Sequence, residues 1–387
     1  MSEYSPVAIA ACSSYDNNEV REALQRATGL VDGLSFVKPG MRIAIKVNLV
    51  AGGTPESAVT THPVVAAELC RMIRELGATP VVGDSPGGVF TDKYVSGVYR
   101  HAKMELTEEA GGILNHDFGA EHRENPEGKV AKVLDCTSWI FQCDALINVC
   151  KLKTHGMMSY SGAVKNLFGT VPGTMKPEYH FRFPNIEDFA DMLVDIDEFY
   201  KPALNIMDAV VGMEGNGPTA GTPRKVGCIL ASASPYPLDL AAAGIIGLSA
   251  PDVPTIAAAV NRGLSPKELS ELTLLGDPVS RFTVSDYELI RERSSLAFTG
   301  KLKGPLGKFM GTLFSKALES RPVPEKNCVG CEECRKICPA KAIHMENKRP
   351  VIDRSKCIKC FCCQEFCPVG AMKVHRTLPA RLLQGIR

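Results

Sequence analysis

Along the first 300 residues the apolar positions switch repeatedly between a period of two and a period near 3.6. Residues 7–11 form a short apolar run, and residues 19–31 follow with Val20, Leu24, Ala27 and Val31 at helical spacing. Residues 42–50 alternate and are rich in β-branched side chains. Residues 63–76 are helical and stop at Gly77, and residues 79–83 make a strand that runs into the turn Asp84-Ser85-Pro86-Gly87-Gly88. The pattern further predicts a helix over 93–110, strands over 129–135, 145–149, 204–210 and 227–231, and a helix over 186–200. In that last helix Ile186, Phe189, Leu193 and Val194 share a face, with Glu187, Asp188, Asp191 and Asp195 as its solvated side. Strands alternating with helices predict an α/β body with a largely parallel sheet covered by helices.

The pattern changes near residue 299. Residues 299–320 mix Gly, Lys and large apolar side chains and read as a linker, with an amphipathic helix as the alternative. The expected organisation is an α/β domain over 1–298, that linker, a small α+β domain over 321–375 and a C-terminal tail over 376–387. Charge follows the same division. Residues 321–387 carry 14 Lys and Arg against 6 Asp and Glu, and the preceding 320 residues carry 30 against 37. A basic tail on an acidic body offsets the negative charge of a bound cofactor or meets an acidic redox partner. The overall charge of +1 gives no sign of nucleic acid as a partner. The first residues lack the basic and apolar regions of a signal peptide, and no apolar run reaches the roughly 18 residues of a membrane span. The expected location is the cytoplasm, where 15 cysteines point to metal binding rather than disulfides.

Eight of those cysteines fall into two matched runs. Cys328, Cys331, Cys334 and Cys338 are followed by Pro339, and Cys357, Cys360, Cys363 and Cys367 by Pro368. Both have the spacing C-x2-C-x2-C-x3-C-P of bacterial two-cluster ferredoxins, in which the fourth cysteine serves the other cluster. Three thiolates two residues apart cap three irons of a cubane, and the fourth leaves on a helix that crosses over. The expected cofactors are two [4Fe–4S] clusters. One is held by Cys328, Cys331, Cys334 and Cys367, the other by Cys357, Cys360, Cys363 and Cys338. Cys362, between two ligands, reads as a spare small residue. Paired C-x2-C zinc sites fit this spacing poorly. Cys12, Cys70, Cys136, Cys143, Cys150 and Cys228 are scattered and read as small core residues.

Polar residues in the body gather where strands end. In doubly wound sheets ligands bind beyond the carboxyl ends of the strands. Lys46 and Asn48 lie in the second strand, His62 opens the next helix, and Asp84 follows the third strand. Lys151, Lys153, Thr154 and His155 follow the strand predicted to end near Val149. Lys165 and Asn166 sit in GAVKNLFGTVPG, Asp208 ends a later strand, and Glu214 and Asn216 belong to the glycine-rich GMEGNGPTAG. Lysines beside apolar strands are costly unless they meet an acid or an anionic ligand. Lys153, His155, Lys165 and Asp84 are therefore the catalytic candidates. Lys46, Asn48, His62, Lys151, Thr154, Asn166, Asp208 and Glu214 are the substrate-binding ones. Neither G-x4-GK[ST] nor G-x-G-x2-G occurs, so nothing here speaks for ATP or a dinucleotide.

At KVNLV, THP, GDSPGG, KLKTH, GAVKNLFGTVPG and DAVVGMEGNGP, residues 5–290 resemble the bacterial and archaeal family called domain of unknown function three-six-two, many members of which have a ferredoxin tail. The resemblance implies that the body is one unit and that those polar positions form its site. It supplies no reaction. The function expected from the residues is a reductase. It passes low-potential electrons from the ferredoxin domain, fed by a redox partner protein, to an unidentified small molecule in the body. The alternatives are an electron carrier or adaptor for a partner enzyme, and a non-redox enzyme with structural clusters.

Overall fold

The computed structural model describes residues 4–289 and 321–375. The expected linker and C-terminal tail lie outside the described residues. The chain divides into two compact units, Met1–Ile290 and Arg291–Arg387.

The body is built on β1 (Val7–Ala11), β2 (Arg42–Lys46), β3 (Thr79–Gly83), β4 (Ile113–Leu114), β5 (Ala120–Glu124), β6 (Val133–Thr137), β7 (Ala145–His155), β8 (Ser159–Ser161), β9 (Leu204–Glu214), β10 (Thr222–Ser232) and β11 (Leu274–Gly276). Its helices are α1 (Asn17–Leu30), α2 (Pro63–Glu75), α3 (Asp92–His101), α4 (Leu106–Glu109), α5 (Ala163–Asn166), α6 (Lys176–Arg182), α7 (Ile186–Tyr200), α8 (Pro235–Ile245) and α9 (Pro254–Asn261). The main sheet has the order β11-β1-β10-β9-β7-β2-β3-β4, with β8 paired on β7. β4, β3, β2, β7 and β9 are mutually parallel; β10 runs against β9 and β1, and β8 against β7. β5 and β6 form a separate hairpin.

Helices cover both faces, as the alternating pattern requires. Val20 and Leu24 of α1, Val65 and Leu69 of α2 and Val95 of α3 pack with Ile43, Ile45, Ile147 and Ile206 on one face. Leu238 and Leu240 of α8 and Ile256 of α9 pack with Ile9, Cys150, Met207 and Leu230 on the other. The scattered cysteines belong to this packing. Cys12, Cys70, Cys136, Cys150 and Cys228 are buried and Cys143 half-buried, and burial pushes each thiol up, Cys143 to about 11.

Several boundaries differ from the pattern. The expected helix over 93–110 is two helices, because Lys103 takes the left-handed conformation (φ 56°). The amide of Met104 bonds Tyr99 O at 2.9 Å and that of Lys103 bonds Arg100 O at 3.1 Å, which closes the first helix. The strand expected over 129–135 is displaced to β6. Residues 129–131 instead wrap the Asp195 carboxylate, which takes their three backbone N–H groups and Arg262. Asp195 is therefore buried rather than on the solvated side of α7. The largest correction concerns β7 and β9. Both run past their expected ends, so Lys151, Lys153, Thr154 and His155 lie inside β7, and Asp208 lies mid-strand in β9.

The second unit repeats one motif. β12 (Arg321–Pro324) pairs with β15 (Met372–His375), and β13 (Ile343–Glu346) pairs with β14 (Arg349–Ile352). The single-turn helices α10 (Glu333–Lys336) and α11 (Cys362–Glu365) each follow a left-handed residue, Glu332 (φ 64°) or Phe361 (φ 58°). Both left-handed residues directly follow the second cysteine of their run.

Candidate functional site

Strand order reverses between β2 and β7. The chain proceeds from β2 outward through β3 and β4 on one side, and from β7 through β9 on the other. In doubly wound sheets, ligands usually bind beyond the carboxyl ends of the strands on either side of such a reversal. Most of the candidate residues gather near this point in two hydrogen-bonded groups.

In the first group, Lys46 ends β2. Its ammonium lies 2.8 Å from Asp84 Oδ1 and donates to Asn166 Oδ1 at 3.0 Å and Val47 O at 2.7 Å. The other Asp84 oxygen takes the Leu49 N–H at 2.7 Å. Asn48 Nδ2 donates to the same Asn166 oxygen at 2.8 Å, while its Oδ1 accepts from the Lys153 ammonium at 2.6 Å. Lys153 also donates to Val59 O at 2.7 Å. Asn166 Nδ2 donates to Asn148 Oδ1 at 2.7 Å. Two ammonium groups from adjacent strands are thus joined through an Asn48–Asn166 amide pair. Burial lowers the Lys46 pKa against the pull of Asp84. Lys165 is buried with its ammonium 5.0 Å from the Phe168 ring centre.

In the second group, Lys151 and Asp208 are register partners on β7 and β9. The Lys151 ammonium donates to Asp208 Oδ2 and to the Tyr15 hydroxyl, at 2.8 and 2.7 Å, and Tyr15 donates to Asp208 Oδ1 at 2.9 Å. Asp208 Oδ2 also takes the His62 N–H at 2.9 Å, at the first turn of α2. His62 caps α2 by accepting the Val64 N–H at Nδ1 and stacks on Tyr15 with ring centres 3.5 Å apart. Burial brings its pKa down to about 4; Asp208 opposes this and Lys151 adds to it. Burial also lowers Lys151 and raises Tyr15.

The remaining candidates stand apart from these two groups. Thr154 donates to Met213 O and Gly215 O and so anchors the glycine-rich turn. His155 Nδ1 accepts the Met157 and Met158 N–H groups at the turn into β8. Glu214 takes the Glu288 N–H and lies 3.8 Å from Arg224. Four residues of the network carried no sequence signal of their own. Tyr15 precedes α1, Asn148 lies within an apolar strand, and Asp239 lies in α8. The Asp239 carboxylate accepts the Ala163 and Val164 N–H groups and the Tyr160 hydroxyl, and so fixes the short helix that carries Lys165 and Asn166. Burial raises Asp239 to about 7 against these donors. The fourth is Gly169, whose backbone abuts Asp84 and Lys46 where any Cβ would collide.

In the second unit the two cysteine runs ring two cavities. The first, of ≈ 360 Å³, is lined by Cys328, Cys331, Cys334 and Cys367. The second, of ≈ 330 Å³, is lined by Cys338, Cys357, Cys360 and Cys363, with Cys362 beside them. Each cavity takes three cysteines from one run and one from the other. Among the described residues no His, Cys, Asp or Glu group is pinched closely enough to hold a single ion. Thiols spaced around a cavity fit a polynuclear cluster. Matched amides already point at the two crossing sulfurs, Ala342 N–H to Cys338 Sγ at 3.2 Å and Ala371 N–H to Cys367 Sγ at 3.1 Å.

Comparison with known proteins agrees with this architecture. Residues 43–244 match the family described as Domain of unknown function (DUF362), and residues 323–368 match the 4Fe-4S dicluster domain. The chain belongs to the DUF362 family, with a ferredoxin-like iron–sulfur domain of electron-transfer type at its C-terminal side. It is similar to the thylakoid-associated protein sll1697 of Synechocystis sp. (strain ATCC 27184 / PCC 6803 / Kazusa), at 32% identity over 274 residues, 69% of this chain and 82% of that protein. Among solved structures it matches the lactate racemase apoprotein from Thermoanaerobacterium thermosaccharolyticum at 13% identity and a TM-score of 0.39. That match covers 63% of this chain and 57% of that one. Among the described residues no helix is long and apolar enough to cross a membrane.

Proposed function

We propose that the protein is a cytoplasmic reductase that draws electrons from a redox partner protein and delivers them to a small anionic molecule at the crevice between β2 and β7. The observation that carries this reading is the pair of buried ammonium groups, Lys46 and Lys153, joined through Asn48 and Asn166 at the point where strand order reverses. Two [4Fe–4S] clusters, one per cysteine cavity, would supply single electrons at low potential. Cys328, Cys331, Cys334 and Cys367 would hold one, and Cys338, Cys357, Cys360 and Cys363 the other. Lys46, Lys151 and Lys153 would hold the anionic group, with Asn48, His62, Asn166 and Asp208 fixing their positions and Thr154 and Glu214 bracing the neighbouring glycine-rich segment. Lys153, His155, Lys165 and Asp84 would be the groups that move protons. Fifteen cysteines in a chain of this size suit a thiol-reducing compartment.

Native mass spectrometry of anaerobically purified full-length protein tests this. The expected result is the mass of two [4Fe–4S] clusters together with a co-purified anionic species that Lys153→Ala loses while keeping its iron. Turnover of that species that survives Cys→Ser changes in both cysteine runs would overturn the reductase reading.

A further inference from the structure

The two cysteine cavities come from one repeated pattern, yet their rims differ. Cys331 is exposed, whereas its counterpart Cys360 is half-buried. Val329 and Val369 line the first cavity and are 65% and 42% exposed. Their counterparts by position in the motif, Ile358 and Ala340, line the second cavity and are half-buried, and Phe361, Cys362 and Cys363 beside them are buried. The first cavity thus presents a sulfur and an apolar rim to solvent, and the second does so far less. Exposed apolar side chains grouped around a polar setting mark a contact surface.

Basic residues adjoin that rim. Asn327 Nδ2 donates to Val369 O at 3.3 Å, which brings the segment of exposed Lys326 to it. A second basic segment reaches the first run at the β13–β14 turn, where the Lys348 carbonyl lies in the way of any Cβ on Gly330. Asn347 and Lys348 both take the left-handed conformation, with φ 49° and 61°. Two-residue hairpin turns of this kind ordinarily carry glycine at the second place, and here an exposed lysine stands there. Arg349 Nη2 donates to Glu325 O at 2.7 Å and joins the two segments. Glu332 and Glu333 are matched by Arg335 and Lys336, and the Glu325 carboxylate lies against His375. The positive charge of the rim is therefore that of Lys326, Lys348 and Arg349.

We propose that this rim docks an acidic one-electron carrier protein and that electrons enter through the first cavity rather than the second. The inference rests on the reductase reading above and adds to it the partner's chemistry and the point of entry. Acidic residues on the carrier meet Lys326, Lys348 and Arg349 as the two proteins approach, which steers the encounter and fixes its orientation. Val329 and Val369 then exclude water around exposed Cys331, as the apolar centre of an interface does. The reduced carrier gives one electron to an oxidised cluster, and no bond forms or breaks.

The test uses an acidic flavodoxin as probe and full-length protein purified anaerobically. Calorimetry reads the binding of oxidised flavodoxin. Stopped-flow mixing with flavodoxin hydroquinone reads electron transfer, because the flavin semiquinone absorbs apart from the iron–sulfur bands. Wild type is expected to bind more weakly and react more slowly as salt rises. Lys326→Glu with Lys348→Glu is expected to weaken binding and slow the transfer by about tenfold or more at low salt, with iron content and reduction by dithionite unchanged. Lys341→Glu with Lys359→Glu, beside the second cavity, is expected to match wild type. A Lys326→Glu, Lys348→Glu protein that binds and reacts like wild type overturns the proposal, and so does a larger loss from the Lys341→Glu, Lys359→Glu pair. A wild type that dithionite reduces but flavodoxin neither binds nor reduces overturns the acidic carrier. A wild-type dimer that Lys326→Glu with Lys348→Glu dissociates would give the face to a second copy and overturns it too. Neither readout involves a substrate, so the reductase reading fails separately, by the turnover test above. A wild type purified without iron overturns the cluster reading and this proposal with it.

Discussion

Lys151 and Asp208 face each other across β7 and β9, ammonium to carboxylate at 2.8 Å, and neither side chain has any solvent exposure. A pair so enclosed adds little net stability, but removing one partner strands the other's charge. Asp208→Asn is therefore expected to destabilise the body by about 3–5 kcal/mol, and Lys151→Met with Asp208→Leu to recover most of that loss. The single tryptophan, Trp139, is buried in the body and reports its unfolding in urea without interference from the second unit. An Asp208→Asn body as stable as wild type would show that the pair is not the constraint its geometry implies.

Gly169 permits the closest approach in the Lys46 network. A methyl group there meets Asp84 Oδ1 and the Lys46 ammonium together. Gly169→Ala should cost about 1–3 kcal/mol and push the ion pair apart, so that any co-purified anion is lost while the iron content stays unchanged. Elemental analysis and native mass spectrometry of one sample read both. Retention of the anion would place the ligand elsewhere.

Asp239 and His62 pull the pH dependence in opposite directions. Asp239, raised to about 7 in the folded body, holds a proton that an unfolded Asp near ~3.9 releases. Its contribution is complete below about pH 4 and is lost as pH rises to about 7, a change of about 4 kcal/mol at most. His62, lowered to about 4, contributes stability above its ordinary pKa of ~6.5 that is lost as pH falls toward 4. His62→Asn keeps a helix-capping side chain and should expose the falling limb between about pH 4 and 7. Adding Asp239→Asn should flatten it. A His62→Asn body with flat stability across that window would contradict the assignment of Asp239.

The crossed cysteine cavities predict an unusual pattern in double variants. Cys328→Ala with Cys367→Ala, taken from different runs, should remove one cluster's worth of iron. Cys363→Ala with Cys367→Ala, four residues apart in one run, should remove both. Iron analysis that ranks the two pairs the other way would mean each run serves its own cavity.

The body's architecture was legible because the buried faces of α1, α2, β1 and β3 keep their periods almost to the ends. Legibility failed where polar residues continue a strand. Lys151 and Lys153 look like the end of a strand when read alone. They remain inside one because Asp208, Tyr15 and Asn48 come from elsewhere to satisfy them. Those partners lie far off in sequence, beyond the reach of any local pattern. Tyr15 and Asp239 were missed for the same reason, since a tyrosine before a helix and an aspartate within one carry no periodic mark. Asp195 was read as solvated because its helix position is polar in pattern, whereas the three amides it binds come from a separate loop. The cysteine runs were legible because the chemistry they serve fixes their spacing.

The hydrogen bond from Tyr15 to Asp208 spans 193 residues. On a ribosome, the first of these residues is made long before the second exists. Until Asp208 emerges, Tyr15 and Lys151 have no carboxylate to meet, and until Asp239 emerges α5 has no cap. The polar network therefore closes late in synthesis, after the apolar layers around α1 and α2 can already form. A nascent or truncated chain could fold much of its first face and still leave Lys151 without its carboxylate and α5 without its cap, so the network acts as a check that the whole body has been made.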